Sequence, residues 1–126
     1  MATNIRTDEI QMGKRNRVRV KDKPDPKFKS GLERDYANFL ETLYKQGQIQ
    51  YWSYEPIRLR MGDATGYNPD FFVISSDGEP QFHETKGFMR PNARTKLYTC
   101  AEQYWMFCFY LVTRNKKKEW HWEKLN

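Results

Sequence analysis

Two short segments that flank a tight-turn signal constrain the fold of this chain more than any other feature. Residues 71–74 are aromatic or β-branched, residues 82–86 lie further along the chain, and Asp77 and Gly78 stand between the two segments. Strong β formers on either side of an Asp-Gly pair predict an antiparallel hairpin. We expect a three-residue loop centred on Gly78, and a first strand that is buried on both of its faces.

This loop also predicts a register for the hairpin. It places six side chains opposite one another in pairs: Ile74 with Phe82, Phe72 with Glu84, and Asp70 with Lys86. Since alternate residues of a strand point to the same face, all six share one face, and two carboxylates and an ammonium converge at the open end of the hairpin. The alternative is a simple cross-strand ion pair between Asp70 and Lys86, which stabilises by only about 0.2–1 kcal/mol.

Carboxylates at the open end of the hairpin suit a divalent metal ion. Mg²⁺ prefers oxygen ligands, keeps several waters and also takes phosphate oxygens. Asp70 and Glu84 would supply carboxylate oxygens, and the backbone carbonyl of Thr85 is the next candidate ligand. We expect one or two ions per site, with Mn²⁺ able to replace Mg²⁺. With Lys86 beside them to orient or deprotonate water, these residues predict metal-dependent phosphodiester hydrolysis.

A third carboxylate, Glu33, lies near the start of a predicted amphipathic helix over residues 30–47, which Gly47 would end. The apolar residues that recur at helical spacing are Leu32, Tyr36, Phe39, Leu40, Leu43 and Tyr44. Ser30 and Glu33 have the spacing of a capping box, in which Glu33 bonds back to the Ser30 amide. Glu33 also borders the buried face, on the stripe Glu33, Ala37, Leu40 and Tyr44. Both a capping role and a metal-binding role for Glu33 are therefore open.

The remaining segments predict an α/β fold with a central mixed sheet flanked by helices. We expect a strand over residues 51–60 with an edge position or a bulge at Pro56, a loop over 61–67, and a helix over 93–104. A fully apolar central strand follows at 107–112, then a turn at 115–118 and an edge strand at 119–122. The second helix should bury Ala93, Leu97, Cys100, Ala101 and Tyr104.

Charge divides the chain into a basic arm, residues 1–29, and a compact domain, residues 30–126. Residues 1–30 carry nine Lys or Arg and four acids, which is +5 of the net charge of +6. The arm residues expected to bind DNA phosphates are Lys14, Arg15, Arg17, Arg19 and Lys21. The arm would be flexible or exchanged as a strand with a second subunit, and a merely solvated basic tail is the alternative. Arg90, Arg94 and Lys96 could also hold phosphates, or could be ordinary solvated charges.

Other classes of protein are disfavoured by the composition. No run of about 18 apolar residues exists and the first thirty residues hold no signal core, so we expect a cytoplasmic protein without membrane contact. Cys100 and Cys108 fit no metal spacing and are expected to be reduced, buried thiols. His83 should point away from Glu84 and be packed or exposed, with no catalytic role.

Three motifs together resemble the phage endonuclease I family, the Holliday-junction resolving enzymes within the PD-(D/E)XK nuclease superfamily. They are Ser30-Gly31-Leu32-Glu33 at a helix start, Asn68-Pro69-Asp70-Phe71, and Glu84-Thr85-Lys86-Gly87. The resemblance implies the core of that superfamily and a Mg²⁺-dependent endonuclease of branched DNA. Glu33, Asp70 and Glu84 would then bind metal, and Lys86 would assist the attacking water.

Symmetric cutting of two strands in a branched junction calls for paired active sites, so we also expect a homodimer. Two other functions stay open. One is a non-catalytic nucleic-acid-binding protein, and the other is a nuclease of the same superfamily that acts on flap or linear duplex DNA. Shape-selective recognition of DNA leaves no base-reading motif in a sequence, so the motifs do not choose among DNA structures.

Overall fold

A computed structural model describes residues 28–126 of the chain. Its elements are helix α1 (Gly31–Lys45), strands β1 (Ile49–Tyr54), β2 (Leu59–Arg60), β3 (Gly66–Tyr67), β4 (Phe71–Ser75) and β5 (Pro80–Thr85), helix α2 (Pro91–Gln103), and strands β6 (Cys108–Arg114) and β7 (Trp120–Lys124). The predicted α/β class and mixed sheet are confirmed. The arm residues from Lys14 to Lys21, which were predicted to bind DNA, lie outside the described residues.

Five strands form one sheet in the order β1-β4-β5-β6-β7. Strand β5 pairs in parallel with β6, and the other three pairings are antiparallel. A parallel pair needs a crossover connection, and α2 supplies it between β5 and β6. The apolar strand expected at the centre is therefore one position off centre, and β5 is the middle strand. Strand β7 is an edge strand, as predicted.

Each face of the sheet is covered by one helix. On one face α1 buries Tyr36, Ala37, Leu40 and Tyr44 against residues of β1, β4 and β6, among them Trp52 and Phe71. On the other face α2 buries Leu97, Cys100 and Ala101 against Phe82, Phe109 and Leu111. Each large side chain buried in this way stabilises the fold by roughly 1.5–3 kcal/mol. The predicted apolar stripe of α1 is confirmed.

Three expectations about burial are wrong. Ala93 is exposed because it lies in the first turn of α2, before the first buried residue, Leu97. Tyr104 is only partly buried because it is the C-cap residue that follows the helix. In β4, Phe71 and Val73 are buried against α1, while Phe72 and Ile74 point to the opposite face and are partly exposed. Cys100 is a buried free thiol as expected, but Cys108 is free and only partly buried.

The hairpin of β4 and β5 has a different register from the predicted one. Phe72 pairs with Phe82, and Ile74 pairs with Pro80. The loop comprises residues 76–78, since the Ser75 amide donates to the Glu79 carbonyl at 3.0 Å. Gly78 has φ 88° and occupies the last loop position, where three-residue hairpin loops need a positive φ. The pairing therefore slips by two residues, and a slip of two leaves every side chain on its predicted face.

The strand predicted over residues 51–60 is broken at Glu55, which has φ 43° and precedes Pro56. Its second part becomes β2, which leaves the main sheet and pairs with β3 in a small two-stranded sheet. The predicted loop over residues 61–67 thus ends in a strand that carries Tyr67. No helix among residues 28–126 is long and apolar enough to cross a membrane.

Candidate active site

Asp70 and Glu84 lie side by side at one end of the main sheet. Asp70 directly precedes β4, Glu84 is on β5, and the pairing of Phe71 with His83 leads directly to them. The Asp70 amide donates to Oε1 of Glu84 at 3.3 Å. Both side chains are buried, with 5% and 6% of their surfaces exposed. The two-residue slip therefore places a carboxylate, and not Lys86, opposite Asp70.

Thr85 holds the Asp70 carboxylate in place. Its backbone amide and its hydroxyl both donate to Oδ2 of Asp70, each at 3.0 Å. The other oxygen, Oδ1, accepts no hydrogen bond from any residue in the described part of the chain. One oxygen of Asp70 is thus oriented by the strand, and the other is left for a ligand.

Glu84 is held by two side chains of different kinds. The Tyr67 hydroxyl donates to Oε1 of Glu84, and the ammonium of Lys86 lies 3.5 Å from Oε2. The Lys86 side chain is 39% exposed, so it connects this buried carboxylate to solvent. Sequence reasoning missed Tyr67 because it lay in a predicted loop, and only the β2–β3 pairing brings it to the site.

Burial makes the negative charge of the pair unfavourable. It raises the pKa of the Asp70 carboxyl from 3.8 to about 8, with further contributions from the charges of Glu84 and Glu33, against the opposing hydrogen bonds from Thr85. Burial also raises the pKa of Glu84, although hydrogen bonds from Tyr67 and the charge of Lys86 oppose the shift. Among residues 28–126 the one ammonium in contact with this pair is that of Lys86, which lies against Glu84, so the two buried carboxylates favour the uptake of protons or of a cation.

Glu33 reaches the same end of the sheet from α1. It is 7% exposed, and its Oε1 accepts from the Lys29 amide at 2.9 Å and from the Tyr54 hydroxyl at 2.7 Å. Ser30 caps the helix as predicted, since its Oγ accepts from the Glu33 amide at 3.1 Å. The return bond of the capping box goes to Lys29 instead of Ser30. Sequence reasoning also missed Tyr54, which nothing in the local pattern connects with Glu33.

The three carboxylates are neighbours, but they do not form one coordinating group. Among residues 28–126, no three His, Cys, Asp or Glu side chains are arranged so that they could hold a metal ion together. The charge of Glu33 nevertheless contributes to the raised pKa of Asp70. The structure therefore presents a two-carboxylate centre with a third carboxylate nearby, and the metal-binding role of Glu33 stays a prediction.

The predicted phosphate-binding residues around α2 differ in their surroundings. The Arg94 guanidinium donates to both carboxylate oxygens of Glu123 on β7, at 3.2 and 3.0 Å, and to the Tyr98 hydroxyl at 3.1 Å. Arg90 is exposed and is the N-cap residue of α2, and Lys96 is exposed on that helix. Arg94 is thus occupied by an ion pair, whereas Arg90 ends the loop that begins at Lys86.

His83 neighbours Glu84 on β5 but points to the opposite face and is buried. Burial lowers its pKa to about 3, so it is neutral at physiological pH. Its ring nitrogens contact the Tyr36 hydroxyl at 2.6 Å and Oε1 of Gln81 at 2.8 Å. Between the predicted alternatives of packed and exposed, His83 is packed.

Comparisons with protein-family models, with curated proteins and with solved structures found no match to this chain. A fold class by itself does not determine a function, because the same fold hosts many activities. The function is therefore inferred from the chemistry of Asp70, Glu84 and their neighbours.

Proposed function

We propose that this chain is a Mg²⁺-dependent endonuclease that hydrolyses phosphodiester bonds in DNA, with a preference for branched DNA such as a Holliday junction. The observation that carries the proposal is the pair of buried carboxylates, Asp70 and Glu84, for which residues 28–126 supply one ammonium contact, that of Lys86 with Glu84. A purely structural pair would be expected to have its charge matched by buried partners. Perturbed carboxylates of this kind are typical of functional sites.

The donor set fits Mg²⁺. All the atoms on offer are oxygens, and Oδ1 of Asp70 is free of hydrogen bonds from residues 28–126. The Thr85 amide points toward Asp70, and the amide and carbonyl of one residue point to the same side of an extended strand, so its carbonyl is directed there too. When bound, one or two Mg²⁺ ions would generate hydroxide near neutral pH and neutralise charge on the phosphate.

The protein's own residues have separate tasks in this proposal. Asp70 and Glu84 hold the cation, while Thr85 and Tyr67 keep their carboxylates in fixed orientations. Lys86 is close to Glu84 and exposed enough to donate its N–H groups to an incoming water or phosphate oxygen. Glu33 would complete the ligand set or would hold a second ion.

The preference for branched DNA and the homodimer belong to the same proposal. Both strands of a junction must be cut for a productive outcome, and a twofold dimer offers two equivalent sites for this purpose. What supports a DNA substrate is the basic arm of residues 1–29, since clustered Lys and Arg bind nucleic-acid phosphates without regard to sequence.

A cleavage assay on four-way junction, flap, nicked and linear duplex DNA tests the proposal. We expect cutting of the junction that needs Mg²⁺ and stops with EDTA, and no cutting by Asp70→Ala. The matched control is Asp63→Ala, which removes an exposed acid from the loop between β2 and β3. Failure of the wild-type chain to cut any of the four DNAs, or equal cutting by Asp70→Ala, would refute the nuclease function.

A further inference from the structure

Phe88 is an aromatic side chain that the fold does not use. It is 80% exposed, more than any other large apolar side chain that the structure describes. The next residue, Met89, packs against the core beneath α2. The chain between β5 and α2 therefore buries Met89 and displays the ring of Phe88 to solvent.

The loop that carries Phe88 is short and anchored at both ends. At one end the Lys86 amide donates to the Val112 carbonyl at 3.1 Å, and at the other the Arg90 carbonyl accepts from the Arg94 amide at 3.0 Å. Only residues 87–89 lie between Lys86 and Arg90. The ring is thus presented from a defined position, which lowers the entropy cost of using it in binding.

This position is beside the candidate active site. Two Cα steps of 3.8 Å separate Phe88 from Lys86, so the two Cα atoms are no more than about 7–8 Å apart. That is about two base steps of 3.4 Å in a duplex. Lys86, which is partly exposed, and Arg90, which is exposed, stand two residues before and after Phe88 and carry positive charge that is complementary to DNA phosphates. A phosphate at Asp70 and Glu84 would have a nearby base within reach of the ring.

We propose that Phe88 stacks on an unpaired or unstacked nucleobase next to the phosphate that is cut, and so selects branched DNA over continuous duplex. The inference rests on the proposed function and deepens it. In a continuous duplex both faces of an internal base are already covered by its neighbours. A free face is available at a branch point, where an exposed aromatic ring can stack on any base without reading its identity.

Equilibrium binding by the full-length chain without divalent metal tests this role separately from cleavage. The DNA is a four-way junction with 2-aminopurine at the branch point, compared with a continuous duplex of the same sequence. We expect wild-type protein to quench the 2-aminopurine, and Phe88→Ala to abolish quenching and to raise the Kd for the junction by about fivefold or more. The Kd for the duplex should change by less than about twofold.

Two variants serve as controls. Phe88→Trp keeps a stacking surface and should retain both quenching and junction affinity. Trp105→Ala removes another exposed aromatic, 75% exposed, beyond the far end of the 13-residue helix α2, about 20 Å from the loop. It should bind like the wild type, because a general loss of exposed aromatic surface is not what the proposal requires.

Several outcomes would overturn the inference. These are an unchanged junction Kd for Phe88→Ala, an equal loss on junction and duplex, or no DNA binding by the wild type. A change in oligomeric state without a change in junction binding would assign Phe88 to a contact between subunits instead. If the wild type binds the junction through Phe88 but does not cut it with Mg²⁺, the proposed nuclease activity fails while the stacking role stands.

Discussion

His83 and Glu84 are consecutive residues of β5, yet His83 is buried among neutral hydrogen-bonding partners and Glu84 is buried beside a second acid. On the α1 face His83 and its direct partners form a hydrogen-bonded chain of neutral side chains. Trp122 Nε1 donates to the Tyr36 hydroxyl at 2.8 Å, which in turn donates to His83 Nδ1. His83 Nε2 then donates to Gln81 Oε1, and these partners assign the tautomer. On the other face, Glu84 and Asp70 are two neighbouring acids, and the ammonium of Lys86 contacts Glu84.

The difference is the one expected between a structural site and the active site that we propose. Every donor in the His83 chain meets an acceptor, so the network stabilises the neutral ring and needs no ligand. Ionising both acids is unfavourable in the absence of a cation, as the raised pKa of both carboxyls indicates. A local loss of folding free energy of this kind is expected where a protein binds a ligand or catalyses a reaction, and the rest of the fold offsets it.

The largest expected effect is that of replacing Lys86, which connects the buried pair of Asp70 and Glu84 to solvent. Lys86→Ala should lower junction cleavage by about 100-fold or more, because a positioned proton donor and charge near the phosphate is lost. Junction binding should be retained. Rates and Kd values for the variant, measured beside Lys116→Ala in the turn after β6, check the expectation. Equal cleavage by Lys86→Ala would remove Lys86 from the mechanism.

On the α1 face, where His83 and its partners are neutral, the expected effect is on stability alone. Tyr36→Phe leaves His83 Nδ1 and the Trp122 N–H without their buried partner, which should lower the free energy of unfolding by about 2 kcal/mol. Urea unfolding measures the change. Tyr51→Phe is the control, since no hydrogen bond of its hydroxyl is seen among the described residues. A loss no greater for Tyr36→Phe than for Tyr51→Phe would show that the network does not stabilise the fold.

The two faces should also differ in their response to pH. The raised pKa means that folded Asp70 keeps its proton between about pH 3.8 and about 8 while the unfolded chain loses it. Metal-free stability should therefore fall as pH rises through this window. Asp70→Asn removes this fall and should stabilise the metal-free protein at pH 8 by at least about 1 kcal/mol, since a pKa shift of one unit corresponds to about 1.4 kcal/mol.

Thermal unfolding in EDTA at pH 5 and pH 8 measures this effect, with Asp63→Asn as the exposed control. Adding Mg²⁺ at pH 8 should raise the Tm of the wild type and have little effect on Asp70→Asn. The same Tm difference between wild type and Asp70→Asn at both pH values would show that the pH-dependent loss of stability does not come from Asp70.

The smallest expected effect concerns Glu33, which belongs to a helix cap and borders the acid pair. Glu33→Gln keeps an oxygen that can accept from the Lys29 amide and the Tyr54 hydroxyl, so stability should change by less than about 0.5 kcal/mol. If Glu33 serves the metal, cleavage should fall by about tenfold. Unchanged cleavage would leave Glu33 with its capping and packing role only.

Much of the site could be predicted because an error of two residues in the strand register does not change the face to which a side chain points. A register slip of two residues leaves Asp70, Glu84 and Lys86 on their predicted face, since side chains alternate with a period of two. The slip itself came from a backbone requirement: Gly78 must occupy the loop position with positive φ. The break of the strand at Glu55 could not be predicted, because Pro56 was equally compatible with a bulge or with an edge strand.

The amino-acid sequence by itself determined the two helices, the hairpin, the buried stripe of α1, and the placing of Asp70 and Glu84 on one face at the open end of that hairpin, because these depend on local periodicity and turn chemistry. The tertiary structure alone decided that Tyr67 and Tyr54 would hold Glu84 and Glu33, and that Arg94 would pair with Glu123. These partners are 17, 21 and 29 residues apart in the chain. Contacts at such separations follow from how the elements pack, which no local pattern encodes.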